Sequence, residues 1–130
     1  MNFGNWDESL HNDYEQIKRI IFSQRIKSEN ATISADTESA EIIGRDGTYD
    51  VTLNNCTCYD FESRNLPCKH MYYLAHELGY LDDLPKLNRK AAKAFKDNLP
   101  AEIERYKQLY LSGAISGEKF NKIANALTSK

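Results

Sequence analysis

Three cysteines and one histidine carry most of the chemistry available to this chain. Cys56, Cys58, Cys68 and His70 fall within a single stretch, CTCYDFESRNLPCKH, in the pattern Cys-x-Cys, nine residues, Cys-x-His. No cysteine lies outside it. Three thiolates and one imidazole make a complete tetrahedral donor set for Zn²⁺, a borderline-soft cation that prefers sulfur and nitrogen. The i, i+2 spacing of each pair suits a strand end, where alternate side chains point the same way, or the entry to a helix. The competing reading is three buried or redox-active cysteines beside an unrelated histidine. An odd number of cysteines makes a poor disulfide framework, so ligand spacing favours the metal and a reducing, cytoplasmic compartment. His76 is the rival fourth ligand, eight residues beyond Cys68.

No other arrangement has a catalytic pattern. The chain has no glycine-rich phosphate loop, no Gly-x-Ser-x-Gly and no His-Glu-x-x-His. Asp82-Asp83 and Glu102/Glu104 are carboxylate pairs at helix ends, where such pairs are ordinarily solvated caps. A site with four protein ligands leaves no open position for water or substrate, which marks structural zinc. The expectation is a binding protein and not an enzyme.

The elements that must place these donors follow from periodicity. Trp6, Leu10, Tyr14, Ile17 and Ile21 recur at helical spacing and predict one amphipathic helix from Trp6 to about Phe22, with His11 outside the stripe on its solvated side. Residues 26–33 read as an edge strand. Ala40–Gly44 and Tyr49–Leu53 flank Arg45-Asp46-Gly47-Thr48, and Asp-Gly signals a tight hairpin of type I′. Tyr49, Val51 and Leu53 alternate with Thr48, Asp50 and Thr52, giving one buried and one wet face. This strand leads to Cys56 and Cys58. Pro67 is suited to a first helical turn, which places Cys68 and His70 at the start of a helix ending at Gly79. Met71, Leu74, Ala75 and Leu78 form its core stripe. Three more helices follow, opened by Pro85, Pro100 and Ser116. The fold class is α+β: a small antiparallel sheet, a zinc-clamped ββα unit, and flanking helices. Length predicts one domain, 1–130, with a helical C-terminal part, 84–130.

The stretch resembles the SWIM zinc finger family. The resemblance runs from Gly47–Leu53 through Cys56-Thr57-Cys58, Asp60-Phe61 and Leu66-Pro67-Cys68-Lys69-His70 to Tyr73, Leu74 and Ala75, a finger spanning 48–79. It implies one structural zinc held by Cys56, Cys58, Cys68 and His70. Three thiolates around a dication sum to −1, so Arg64, Lys69 and helix N–H groups are expected to steady the centre.

The partner is a matter of charge. The net charge is −2, but five basic residues and no acidic ones lie between Lys86 and Lys96, leaving the rest at 12 positive and 19 negative. Lys86, Arg89, Lys90, Lys93 and Lys96 share one helical arc of about 120° opposite Leu87, Ala91, Ala94 and Phe95, a phosphate-tracking stripe or simply a solvated face. SWIM modules in transposase-like and helicase-like proteins imply nucleic acid as partner. The acidic body implies a protein, through Glu29, Asp36, Glu38, Glu41, Asp46 and Asp50 on the sheet and its turns. A compact SWIM protein also resembles phage and mobile-element accessory proteins, including zinc-binding anti-CRISPR proteins that occupy a nuclease's nucleic-acid channel. The expected partner is therefore a protein, nucleases of the CRISPR type among them, with DNA or RNA on the basic helix as the alternative.

Overall fold

The computed structural model describes residues 2–128. The chain divides after Ala91 into two compact units. In the first, a 3₁₀ turn (Glu8–Asn12) precedes α1 (Tyr14–Ser23), a second 3₁₀ turn (Ser28–Asn30) precedes β1 (Ala31–Ser34), and β2 (Ser39–Gly44) and β3 (Gly47–Thr52) follow. Then come α2 (Tyr59–Arg64), α3 (Lys69–Glu77) and the start of α4 (Leu84–Asp97). The second unit holds the end of α4, α5 (Leu99–Leu111) and α6 (Gly117–Thr128). This is the α+β class, with an antiparallel sheet in the order β1-β2-β3.

The sheet obeys its alternation. Ala40, Ile42, Val51 and Leu53 are buried on one face, while Glu41, Asp50 and Thr52 are exposed on the other. Helix α3 packs on β2 and β3 on one side and on α1 on the other. His70 through Ala75 are all buried, as a helix between two layers requires. In the second unit α5 packs on α6, with the rings of Tyr110 and Phe120 stacked at 5.5 Å. Ser116 opens α6, its Oγ accepting from the Lys119 N–H at 3.1 Å.

Three expectations change. The single helix from Trp6 is two elements, because Asp7 caps the first turn by accepting from the Ser9 N–H (2.9 Å) and Asp13 is extended at φ −66°, ψ 139°. Asp and Asn compete with helix for local backbone bonds, and here they win. The break turns His11 inward, so it is 1% exposed and not a solvated residue. The first strand is shorter than 26–33, since Ser28, Glu29 and Asn30 make a 3₁₀ turn. The hairpin is real but its turn residues are Arg45-Asp46, with Gly44 paired to Gly47. Neither has positive φ; Gly47 takes it instead, at 140°. The Asp-Gly signal located the hairpin and misplaced its turn by one residue. Among the described residues no helix is long and apolar enough to cross a membrane.

Candidate metal centre

Each arm of the site is set by ordinary backbone chemistry. After β3 the chain reverses at Leu53-Asn54, and the Thr52 N–H donates to the Asn55 carbonyl at 2.8 Å. Cys56 then pairs with Val51 in an isolated antiparallel bridge, and the Thr57 N–H donates to the Asp50 carbonyl at 3.2 Å. Cys56 is therefore not simply the end of the strand. It lies on a return segment hydrogen-bonded along β3, and takes its rigidity from the sheet.

Cys58 is the N-cap of α2, extended at φ −74°, ψ 158°, and its sulfur accepts from the Phe61 N–H at 3.5 Å. That bond satisfies one orphan donor of the helix and supports a thiolate as well. Helix α2 ends at Asn65 in the left-handed region (φ 55°), a position asparagine tolerates. Cys68 is in turn the N-cap of α3, and His70 follows as the second helical residue. Pro67 lies just outside the helix rather than in its first turn. It is buried, and its carbonyl accepts from Gln16 Nε2 at 2.9 Å, which ties the approach to Cys68 onto α1.

The four donors converge. Their ligand atoms all lie within 4.8 Å of one another, and all four residues are buried. His70 Nδ1 is 3.8 Å from Cys56 Sγ and 3.7 Å from Cys68 Sγ. A zinc ion with bonds of about 2.3 Å to sulfur and about 2.05 Å to nitrogen separates such a pair by about 3.6 Å across a tetrahedral edge. His70 and these two sulfurs are thus already spaced for the ion, and His70 presents Nδ1. The set fits one structural zinc. His70 is backed by the Tyr49 ring, 4.9 Å away between centroids. The thiols also bias one another. Hydrogen bonding from Cys56, then Cys68, holds the Cys58 thiol far below the usual cysteine range; Cys56 is pushed up to about 11 by its bond with Cys58, and Cys68 is raised by its bond with Cys56. A metal binding here displaces protons from sulfur.

The remaining candidates are dispersed. His76 is exposed on the far part of α3, beside Glu77 at 3.7 Å, and is outside the cluster. Arg64 does not reach a sulfur: it donates to Gln16 Oε1 at 2.6 Å and lies 3.6 Å from Asp60. Lys69 is exposed. Lys86 and Arg89 are exposed on α4 with Lys90 half-buried, and Leu87 and Ala91 are buried; Lys93 and Lys96 are exposed farther along the helix. Three of its cations are engaged, Lys86 with Asp82 (3.6 Å), Lys93 with Asp97 (2.9 Å) and Lys90 with Asn12. Of the acidic set, Glu41 and Asp50 lie directly opposite each other across β2 and β3. Asp36 and Glu38 are in the β1–β2 turn, Asp46 is in the turn at the other end, and Glu29 is in the 3₁₀ turn before β1. Glu38 is half-buried and accepts from the Tyr80 hydroxyl. Sequence reasoning missed the polar residues that brace the site, Gln16 and His11 above all; Asn12-Asp13, a cap signal inside the supposed helix, was the available clue.

Among known families, the SWIM zinc finger matches residues 36–79. The match begins in the β1–β2 turn, takes in β2 ahead of the span 48–79, and contains all four donors. No curated protein and no solved structure matches the chain. The SWIM match covers 44 of the 130 residues.

Proposed function

We propose that the chain is a non-enzymatic binding module in which structural zinc holds a small sheet whose solvent face engages a protein. The observation that supports this is the register of that face. Glu41 is flanked by Thr32 on β1 and Asp50 on β3, and Ile43 beside them is 58% exposed. Two carboxylates directly opposed across strands cost stability, on the order of 0.2–1 kcal/mol. A complementary cation from a partner removes that cost, and an exposed isoleucine gives the contact an apolar centre. The fitting partner is a protein with a flat basic surface. The nucleic-acid channel of a CRISPR nuclease, or of another nuclease, has that chemistry, and an acidic module seated there would exclude the nucleic acid, as a phage-encoded inhibitor does.

The second reading is a DNA- or RNA-binding accessory protein that uses the α4 stripe. Surface ion pairs are weak and would yield to phosphate, but Asp82 and Asp97 stay beside the stripe and oppose it. Two titrations separate the readings. The zinc-loaded protein is mixed with single- and double-stranded DNA at about 50 and about 200 mM salt, and with a CRISPR nuclease with and without its guide RNA. The expected result is no DNA binding and micromolar or tighter binding to the nuclease, lost in Glu41→Lys/Asp50→Lys and kept in Lys90→Glu/Lys93→Glu. DNA binding that falls steeply with salt and disappears on the Lys90/Lys93 reversal would overturn the protein reading and establish the other.

A further inference from the structure

The N-terminal residues lie across the zinc module as a strap. Phe3 is buried in the core and stacks on the His11 ring at 5.0 Å. The Asn5 N–H donates to Asn54 Oδ1 at 2.6 Å, and Trp6 Nε1 donates to the Leu53 carbonyl at 2.8 Å. Trp6 also meets Phe61 edge-on at 6.3 Å. These contacts cover the reversal that leads to Cys56.

His11 closes the strap. Its Nδ1 is 2.7 Å from the Tyr72 hydroxyl, and that hydroxyl oxygen already accepts from Gln16 Nε2 at 3.1 Å. With Gln16 donating to it, the Tyr72 hydroxyl finds an acceptor for its own hydrogen in His11 Nδ1, the tautomer that carries the ring proton on Nε2. Nε2 is buried and has no hydrogen-bond partner. A second proton would turn Nδ1 into a donor, leave the Tyr72 hydroxyl hydrogen without that acceptor, and place a full charge in the core. Asp7 and Glu8 on the same turn favour that charge; Lys90 from α4 opposes it, and burial opposes it most. Asp82 lines the surface cavity over His11, while from the core side Tyr72 and Arg64, the latter through Gln16, complete the surroundings.

We infer that the strap is acid-released: protonation of His11 detaches residues 3–12 from the zinc module while the zinc stays bound. The closed strap keeps His11 neutral and the open strap lets it titrate near the ordinary histidine value of about 6.5. The open form therefore binds more protons, and closure is fully favoured above that pH and weakened as pH falls. One proton raises the opening constant by up to tenfold per pH unit, or about thirtyfold between pH 7.5 and 5.0. Opening uncovers Leu53, Phe61 and Tyr72, an apolar surface that the neutral protein conceals.

Trp6 is the only tryptophan and reports on the strap directly. The test follows its emission and the hydrogen exchange of its indole N–H in the zinc-loaded chain from pH 7.5 to 5.0, corrected for the intrinsic rate of free indole. Zinc release is monitored in parallel with a chromogenic chelator. The expected result is red-shifted emission and roughly thirtyfold more opening before any zinc appears, with the slope absent in His11→Gln. Trp6 signals indifferent to pH, an equal slope in His11→Gln, or change only on zinc release would each overturn the inference. A readout independent of any variant is the His11 ring titration by NMR in the native chain. A midpoint below 6.5 that coincides with the Trp6 change supports the switch; one at or above 6.5 with Trp6 unmoved overturns it.

Discussion

Gly4→Ala tests how firmly the strap is set. Gly4 has φ +58°, and a Cβ there would come within 2.6 Å of the Leu53 carbonyl oxygen and closer still to Asn54 Oδ1. The left-handed backbone alone costs a non-glycine residue about 1–2 kcal/mol. The collision is a further term, because the Leu53 oxygen belongs to the backbone just ahead of Cys56 and cannot swing aside. Relief requires the strap to lift, which breaks the Asn5–Asn54 and Trp6–Leu53 hydrogen bonds, each about 1 kcal/mol net. The expected loss is about 3 kcal/mol, a large share of the ~5–15 kcal/mol typical of a domain. Urea unfolding of the zinc-loaded protein at pH 7.5, read by Trp6 emission, should show a midpoint lower by about 1.5 M for a slope near 2 kcal/mol per M. Gly79→Ala is the control: φ is +84° with open space around the site, so only the backbone term operates. Equal losses in the two variants would show that the Leu53–Asn54 contact contributes nothing. A Gly4→Ala protein within 0.5 kcal/mol of the native one would refute the reasoning altogether.

Removing zinc with a strong chelator should abolish hydrogen-exchange protection across residues 51–75 while α5 and α6 keep theirs; protection unchanged in 51–75 would remove zinc from the account of the fold. Cys58→Ser should bring bound zinc, measured by atomic absorption, from one per chain to near zero. Zinc affinity should rise more than tenfold per pH unit between pH 6.5 and 7.5, since Cys56 and Cys68 each give up a proton on binding; a chelator competition at the two pH values measures it, and a flat response would contradict the thiol assignment. Tyr72→Phe leaves His11 Nδ1 buried without its hydroxyl partner and should cost about 2 kcal/mol in thermal unfolding with zinc content unchanged.

The metal site was legible because ligand spacing is local: Cys56, Cys58, Cys68 and His70 identify themselves without knowledge of the fold. The sheet was legible for a similar reason, since alternation over Tyr49–Leu53 and one turn signal specify a hairpin. What supports the site was not. Helix α2 has six residues, too few for a helical period to show, and it begins on a cysteine rather than a familiar cap. His11 was placed on a helical wheel that assumed one straight helix, and a single extended residue, Asp13, rotated it into the core. Gln16 reads as an ordinary polar helix residue, yet it is buried and joins Pro67, Tyr72 and Arg64. Such partners are 48 to 56 residues away and carry no local signal.

Two of the zinc ligands are also the residues at which helices begin, Cys58 for α2 and Cys68 for α3. At that position serine or aspartate ordinarily supplies an oxygen to the first free amides. Metal binding and helix initiation here fall on the same two residues, and at Cys58 on the same sulfur, so the site can be taken apart along that line. A chain carrying Ser or Asp at 58 and 68 would lose the ion and retain both helix starts, and each helix would begin where it does now without being tied to the other. The zinc's own contribution is then the joint: it converts two independently capped helices and a return strand into one rigid corner.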